Sequence, residues 1–380
     1  MVEYFRKKCK TKDKSKRYYY YKQYKNGTKK IISKKEYETK RKKKLYKQKG
    51  GNDLLQGLLP SDMFSPNEID ITIAWAGEEN YMDKDIESNE MESKDRMRNN
   101  NELKYCLRSI HKYAPWIRHV YILVNTPATW PTWLDQSKAK KWISVIDRCK
   151  YFEDKNLCPT YNINPVLANI HKIPEISNWF VNLEDDMFFG NTVNPEDFFT
   201  KEGKPYYYQK SPSWGKWAGH GPHEVYEESK LKDAKVIPPT PRPLTLSPSP
   251  HVPIPLRKDF IANLYKKYKK FFDFVISHKH RWCCCDDKIK NNCQDECVES
   301  IFIAQLMVNN VGEYKEPSQF KRIECIYGRN GCDKNYLDEI IKIKPKMFNI
   351  NDGFSKDPEI YKKQLAEVTD FYEKMFLEKP

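Results

Sequence analysis

The sequence contains no long apolar run anywhere in its 380 residues. A membrane-spanning helix needs at least about 18 consecutive apolar residues, so none is predicted. The N-terminus lacks the apolar core of a secretory signal peptide, and the chain shows no internal repeat. These absences lead us to expect a soluble, unprocessed chain, cytoplasmic by default, and they leave its compartment unknown.

Acidic residues are scarce in the first 50 residues, which hold 21 Lys+Arg and 4 Asp+Glu, a net charge of +17. The whole chain carries +15, so the other 330 residues carry 15 − 17 = −2. Residues 1–52 are therefore predicted to form a basic tail that is disordered or weakly helical. Such a tail is either simply solvated, or contacts polyanions, a membrane surface or nucleic acid.

The cysteine content of the chain is high for a cytosolic protein. Eleven cysteines are present, and five of them crowd into a Cys-rich insert at residues 282–298. Cys325 and Cys332 follow a little further on. Their spacing matches no standard zinc motif, so disulfides, a metal site and reduced thiols remain open alternatives.

The body of the chain alternates between apolar runs and stretches of helical periodicity. Short apolar runs predict strands at 69–75, 120–124, 142–146 and 179–181, and an apolar segment follows at 347–350. Helical spacing predicts helices at about 99–113, near 165–173, within 260–272, around 301–306 and at 358–376. Residues 211–255, rich in Pro, Ser, Gly and His, are predicted to form a long functional loop. This alternation predicts an α/β fold, with a sheet flanked by helices.

The most informative segment comes where an apolar run ends in Glu184, Asp185 and Asp186. Ligands of open α/β sheets bind at the carboxyl ends of the strands. Crowded carboxylates repel one another unless a cation neutralises them. The sequence therefore predicts a divalent-metal site that handles a phosphate.

Four further segments carry candidate functional residues, each with an ordinary structural alternative. Arg98 and its following amides begin a predicted helix, where an anion site and a simple helix cap are both reasonable. Asn125 follows a strand, and Asp352 follows the apolar segment at 347–350, where it is either a third metal carboxylate or part of a turn. His251 is a lone histidine, and Arg281 lies in a cationic cluster suited to phosphate or to the surface.

Taken together and in order, these segments resemble the Stealth family of sugar-phosphate transferases. That family includes bacterial capsule sugar-phosphate polymerases. It also includes the N-acetylglucosamine-1-phosphotransferase that tags lysosomal enzymes. Residues 69–75 and 98–118 look like its first two conserved regions, and 182–190 is similar to its Leu-Asn-Asp-Asp-x-Phe-Phe-Gly stretch. The segments at 251–253 and 348–353 resemble its third and fourth regions. The resemblance covers about 69–376 and implies that residues 53–380 form one catalytic domain with a Rossmann-like, glycosyltransferase-like mixed sheet.

The resemblance also implies a reaction and its residues. A hydroxyl of a glycan or glycoprotein acceptor would attack the β-phosphate of a UDP-sugar, with UDP-N-acetylglucosamine as the expected donor, and UMP would leave with the help of Mg²⁺ or Mn²⁺. The residues fall into three implied groups. The metal ligands would be Glu184, Asp185, Asp186 and Asp352. The catalytic residues would be Asp186, His251, Arg281 and Asp352. The substrate-binding residues would be Arg98, Asn100, Asn101, Arg108, Asn125 and Glu299.

Three departures from the family pattern keep rival functions open. The first region is one polar residue short at Trp75-Ala76-Gly77, Asn99 replaces the usual Asp, and Glu184 replaces the usual Asn. A changed donor or acceptor would accommodate them. The rivals are an ordinary UDP-sugar glycosyltransferase, a non-catalytic glycan-binding homologue, and a nucleic-acid binder that acts through the tail. The sequence does not indicate the oligomeric state.

Overall fold

The structure is a computed structural model that describes residues 3–10, 16–23, 29–32, 64–77, 98–125, 130–160, 162–208, 253–267, 269–277, 313–315, 322–328 and 331–376. The chain divides into two compact units. The first comprises Met1–Leu59 with Pro239–Pro243, and the second Pro60–Pro238 with Leu244–Pro380.

Within the first unit, three strands form an antiparallel sheet: β1 (Glu3–Lys10), β2 (Lys16–Gln23) and β3 (Lys29–Ile32). The expectation of a disordered or weakly helical tail is therefore wrong for these three segments. Tyrosine and β-branched residues favour strands, and β2 contains four consecutive tyrosines. A helix would also bring like charges together at three- and four-residue spacing, which is unfavourable.

The second unit contains ten strands and eight α-helices among its described residues. Its first half contains β4 (Ile69–Ala74), α1 (Glu102–Tyr113), β5 (His119–Val124), α2 (Gln136–Ala139), β6 (Ile143–Asp147), α3 (Ile163–Asn169), β7 (Trp179–Leu183), β8 (Met187–Phe189), α4 (Pro195–Phe198) and β9 (Tyr206–Tyr208). Its second half contains β10 (Ile254–Arg257), α5 (Lys258–Lys267), α6 (Lys269–Ser277), β11 (Glu313–Lys315), β12 (Arg322–Ile326), α7 (Lys334–Ile343), β13 (Met347–Asn351) and α8 (Pro358–Met375).

The main sheet of this unit has the strand order β10-β7-β4-β5-β6. Strands β7, β4, β5 and β6 run parallel, and β10 pairs antiparallel with β7 at the edge. The residues of β7 are all buried, as are the first five of β4, as expected for parallel strands covered on both faces. The predicted α/β fold with a mixed sheet flanked by helices is confirmed.

A second sheet, in the order β12-β13-β8, continues directly from the first, because β8 follows β7 after a three-residue turn. Helix α8 contributes Phe371 and Tyr372 to the core, where their rings pack against Phe348 of β13 and Phe188 of β8 respectively. These aromatic contacts join the C-terminal helix to the segment that carries the acidic turn.

Some elements differ from the predictions. Helix α1 and strands β4 to β7 appear within a few residues of the predicted positions, whereas Ile254 and Pro255, predicted to lie in the long loop, belong to β10. Most of that loop, the predicted helix at 301–306 and the Cys-rich insert lie outside the described residues. Cys325 pairs with Cys332 and Cys149 with Cys158 as disulfides. No helix in the described part of the chain is long and apolar enough to span a membrane.

Candidate active site

The acidic residues Glu184, Asp185 and Asp186 form the turn that links the two sheets. The backbone N–H of Met187 donates to the carbonyl of Glu184 at 3.2 Å, and Ile350 N–H donates to the carbonyl of Asp186 at 3.2 Å. Strands β7 and β5 lie on opposite sides of β4, so the carboxyl ends of β4 and β7 meet where the strand order reverses. That reversal point is where open α/β sheets bind ligands. The turn therefore occupies the expected position of a ligand site.

A fourth carboxylate, Glu102, begins α1 and joins this site. The backbone N–H and the side-chain Nδ2 of Asn100 each donate to its carboxylate at 2.7 Å. Burial raises the pKa of Glu102, and the negative charge of Asp352 raises it further against those hydrogen bonds. Glu102 was not among the predicted site residues, because an acid in the first turn of a helix is usually a solvated favourable partner of the helix dipole.

The electrostatic environment shows that Glu102 and the acidic turn influence one another. Burial raises the pKa of Asp185 well above its usual range, and the charges of Glu102, Asp186 and Glu184 add to the increase. The pKa of the Cys106 thiol is raised by burial and then by Asp185 and Asp186. Glu102 and Cys106 are four residues apart and share a face of α1, so this face is the one directed at the acidic turn. The site thus concentrates negative charge in a partly buried place.

Beside the acids, Arg98 and Asp352 form a bidentate ion pair. Arg98 Nε donates to Oδ2 at 2.8 Å and one terminal nitrogen donates to Oδ1 at 2.7 Å. Asn100 Nδ2 also donates to Asp352 at 3.3 Å, and Tyr361 Oη donates to Asn100 Oδ1 at 2.7 Å. The Tyr361 ring lies 4.9 Å from the guanidinium carbon of Arg98. The segment before α1, the end of β13 and helix α8 are held together by this network.

The described contacts of the predicted residues Arg108 and Asn101 are with parts of the fold other than the acidic turn. Arg108 is buried and donates to both carboxylate oxygens of Glu373 at 3.2 Å and to the carbonyl of Phe376 at 3.4 Å. It therefore links α1 to α8. Asn101 is exposed at the N-cap of α1 in the left-handed conformation, with φ of 64°.

Asn125 forms the centre of a buried polar cluster at the carboxyl end of β5. Its Oδ1 accepts from Arg148 Nε at 3.1 Å and from Thr160 N–H at 3.2 Å, and its Nδ2 donates to the carbonyl of Thr160 at 3.3 Å. The disulfide between Cys149 and Cys158 closes the intervening segment. Asn125 thus has a structural task, and its predicted contact with the donor stays a prediction. His251, Arg281 and Glu299 lie outside the described residues.

The carboxylates are hard oxygen ligands of the kind that suits Mg²⁺ or Mn²⁺. Within the described ranges, no group of three or more His, Cys, Asp or Glu side chains is arranged to hold a metal by itself. Mg²⁺ is usually bound by only one or two carboxylates, together with water and substrate phosphates. Asp185 and Asp186 supply such a pair, and their crowded charge favours a cation. The residues therefore fit a metal that arrives with a phosphate-bearing substrate.

Comparison with known proteins extends the description of this region. The family described as Stealth protein CR2, conserved region 2, matches residues 96–207. This range contains Arg98, Glu102 and the entire acidic turn. The resemblance to Stealth sugar-phosphate transferases, predicted above from the motifs, is confirmed over this region.

Similar proteins carry phosphotransferase names. The chain is 29% identical over 192 residues to an exopolysaccharide phosphotransferase of Nocardia farcinica, covering 50% of this chain and 37% of that protein. It is 34% identical over 145 residues to exopolysaccharide phosphotransferase cps2G of Lactiplantibacillus plantarum, covering 37% of this chain and 42% of the relative. A capsular polysaccharide phosphotransferase of Actinobacillus pleuropneumoniae, cps1A, is 28% identical over 186 residues, with 49% and 50% covered. The chain thus spans half or less of the length of these relatives.

Among solved structures, mouse xyloside xylosyltransferase 1 in its apo form aligns with a TM-score of 0.37 at 8% identity. The alignment covers 74% of this chain and 96% of that chain.

Proposed function

We propose that the chain transfers a sugar-1-phosphate from a UDP-sugar to a hydroxyl of a glycan, with release of UMP. The observation that carries this proposal is the position of Glu102 and the acidic turn at the reversal point of the sheet, inside the region that matches the Stealth family. The named relatives support phosphotransfer in polysaccharide synthesis. N-acetylglucosamine is the sugar that the resemblance implies.

The proposed reaction exchanges one P–O bond for another. The acceptor hydroxyl oxygen bonds to the β-phosphorus, the bond between that phosphorus and the bridging oxygen breaks, and UMP leaves with the bridging electron pair. The hydroxyl proton passes to a carboxylate. Glu102 suits this step, because burial raises its pKa and so makes its carboxylate a better proton acceptor.

A bound Mg²⁺ or Mn²⁺ would neutralise charge on the diphosphate and on the departing UMP. Asp185 and Asp186 would hold it, and Glu184 lies next to them in the turn. Arg98 would contact a phosphate, with Asp352 fixing the orientation of its planar guanidinium. In this proposal the main role of Asp352 is to orient Arg98. The contact of Asp352 with the metal, predicted from the sequence, would be a secondary role. The basic strands of the first unit would contact a polyanion.

The direct assay supplies UDP-N-acetylglucosamine, Mn²⁺ and a mannoside, and identifies the released nucleotide. UMP is expected, and UDP would instead indicate an ordinary glycosyltransferase. Glu102→Gln should reduce UMP release about 100-fold, the order of loss seen when one electrostatic group of an active site is removed. Glu339→Gln is the matched control, because Glu339 is exposed on α7. Retained UDP-sugar binding without turnover would indicate a glycan-binding homologue.

A further inference from the structure

Asn100 joins two carboxylates of the candidate active site through one side-chain amide. Its Nδ2 donates to Glu102 Oε1 at 2.7 Å and to Asp352 Oδ2 at 3.3 Å. Its backbone N–H donates to the other carboxylate oxygen of Glu102 at 2.7 Å. Both oxygens of Glu102 therefore accept hydrogen bonds from Asn100, which fixes the plane of the Glu102 carboxylate. Asn100 thus sets the position of one acid relative to the other.

The amide of Asn100 can serve both acids in one orientation only. Ionised carboxylates accept hydrogen bonds and donate none, so a rotated amide would turn its oxygen towards them. Asn100 is 2% exposed, and its amide oxygen therefore needs a partner within the protein. The hydroxyl of Tyr361 is such a partner, because it donates to Asn100 Oδ1 at 2.7 Å. Tyr361 thus stabilises the orientation of the amide that holds the two acids.

The ring of Tyr361 contacts the cationic part of the same site. It lies 4.9 Å from the guanidinium carbon of Arg98, a distance at which a cation is attracted to an aromatic face. Tyr361 is half-buried near the start of α8, and its ring packs against Phe354 with 5.7 Å between the centroids. The hydroxyl and the ring of one side chain therefore contact different parts of the site.

We propose that Tyr361 is a positioning residue of the active site with two separable roles. Through its hydroxyl it holds the Asn100 amide, and thereby keeps Glu102 in the orientation that accepts the proton of the acceptor hydroxyl. Through its ring it restrains Arg98 for contact with the donor phosphate. The proposal rests on the proposed function, because that function assigns the proton to Glu102 and the phosphate to Arg98. Tyr361 acts through these neighbours and is assigned no contact with either substrate.

The two roles predict different kinetic effects on nucleotide release, measured at varied UDP-N-acetylglucosamine with saturating mannoside and Mn²⁺. Tyr361→Phe keeps the ring and loses the hydroxyl. Its kcat should fall about tenfold, the effect of one lost hydrogen bond, while KM stays within about twofold of the wild type. Tyr361→Leu loses both groups, so its kcat should fall at least as far and its KM should also rise about threefold.

Tyr327→Phe is the matched control for the loss of a hydroxyl. The Tyr327 ring also packs against Phe354, at 5.4 Å, and its hydroxyl donates to Glu367 of α8 at 2.6 Å. This change therefore removes a hydrogen bond to the same helix without removing a contact of Asn100, and kcat should stay within about twofold of the wild type. If Tyr361→Phe were no slower than Tyr327→Phe, the proposal would be overturned, because Tyr361 would then only anchor α8.

A double-variant cycle shows whether the Tyr361 hydroxyl acts through Asn100. Asn100→Ala removes the amide, so adding Tyr361→Phe to it should reduce kcat no further. Urea unfolding of the same proteins should likewise give losses of stability that are less than additive. Additive losses in kcat would overturn the proposal, since the hydroxyl would then act independently of Asn100.

The same measurements separate this proposal from the proposed function. Release of UDP by the wild type would count against the proposed function alone, because that reaction also needs a base for the acceptor hydroxyl and the comparison of kcat values still applies. Absence of any released nucleotide would count against the proposed function as well. The unfolding cycle would then decide: coupled losses support the link between Tyr361 and Asn100, and additive losses overturn it.

Discussion

Arg98 and Asp352, 254 residues apart in the sequence, meet in a bidentate ion pair with N–O distances of 2.7 and 2.8 Å. Both side chains are mostly buried, with 19% and 17% of their surface exposed. The pair sits between the segment leading into α1 and the end of β13, beside the acidic turn. The ion pair fixes the orientation of the Arg98 guanidinium, which we assign to phosphate binding.

Breaking this ion pair should affect activity more than stability. Arg98→Lys keeps the charge but loses the planar two-pronged donor, and Asp352→Asn loses the charge that orients it. Each change should reduce UMP release about 10- to 100-fold, and the double variant should be little worse than either, because the two residues act as a unit. Steady-state rates of the four proteins give the coupling directly.

The Lys346–Asp197 pair provides the control for this cycle. It is similarly buried, with Lys346 Nζ 2.6 Å from Asp197, and it lies elsewhere in the fold. Asp197→Asn should lower the free energy of unfolding about as much as Asp352→Asn does, while UMP release per folded molecule stays unchanged. Strictly additive losses in the Arg98/Asp352 cycle would show that the two residues do not act as a unit.

Replacing Asp185 by Asn should separate stability from activity. The raised pKa means that the folded protein disfavours the charged carboxylate, because burial and three neighbouring acids oppose it. An isosteric neutral side chain should therefore raise the free energy of unfolding by about 1 kcal/mol at neutral pH while abolishing most UMP release. Urea unfolding and the nucleotide assay measure the two effects. Asp370→Asn, an exposed change on α8, should leave both near the wild-type values.

Asn125→Ala should destabilise the protein, because it removes the acceptor used by Arg148 Nε and Thr160 N–H. The loss should be about 1–3 kcal/mol, the range found when buried polar groups lose a partner. Asn191→Ala is the control, since Asn191 is exposed and donates one bond, to the carbonyl of Lys344 at 3.3 Å. Unchanged urea unfolding together with a raised KM for the UDP-sugar would instead favour the donor-binding role predicted from the sequence.

His171 should contribute a defined pH dependence of stability. Burial, with a smaller effect of the Lys172 charge, lowers its pKa to about 4 from the usual 6.5. Between these values the unfolded chain binds a proton that the folded protein rejects, so stability falls as pH decreases from 6.5 towards 4. His171→Phe keeps a ring against Tyr265, 4.8 Å away, and should flatten the pH dependence in this window. If the free energy of unfolding changed equally with pH in the wild type and in His171→Phe, His171 would not be the source of this pH dependence.

The elements that the sequence predicted well are those with strong local patterns. Strands β4 to β7 are short segments rich in apolar residues, and α1 has a clear helical period, so neighbouring residues alone define them. The acidic turn was predictable because it ends such a run. Helix α7 was not predicted, and the strands of the basic tail were hidden by their lysines, which suggest a solvated segment.

The parts that were missed depend on contacts between distant segments. Nothing near Glu102 indicates that α1 directs it towards Asp185, some 80 residues later in the chain. Its one local signal is Asn100, two residues earlier, whose backbone N–H and side-chain amide donate to the Glu102 carboxylate. Arg108 was likewise predicted to bind substrate, but in the structure it donates to Glu373 of α8. Pairings of this kind follow from the tertiary fold, which one sequence does not specify.

The central claim is that the β-phosphate of the donor moves with the sugar. UDP-N-acetylglucosamine labelled at the β-phosphate, incubated with the protein, Mn²⁺ and a mannoside, tests it directly. The account predicts that the label appears in the glycan, in proportion to the UMP released, and that Asp185→Asn abolishes both. Label recovered in UDP, with unlabelled sugar attached to the mannoside, would contradict it.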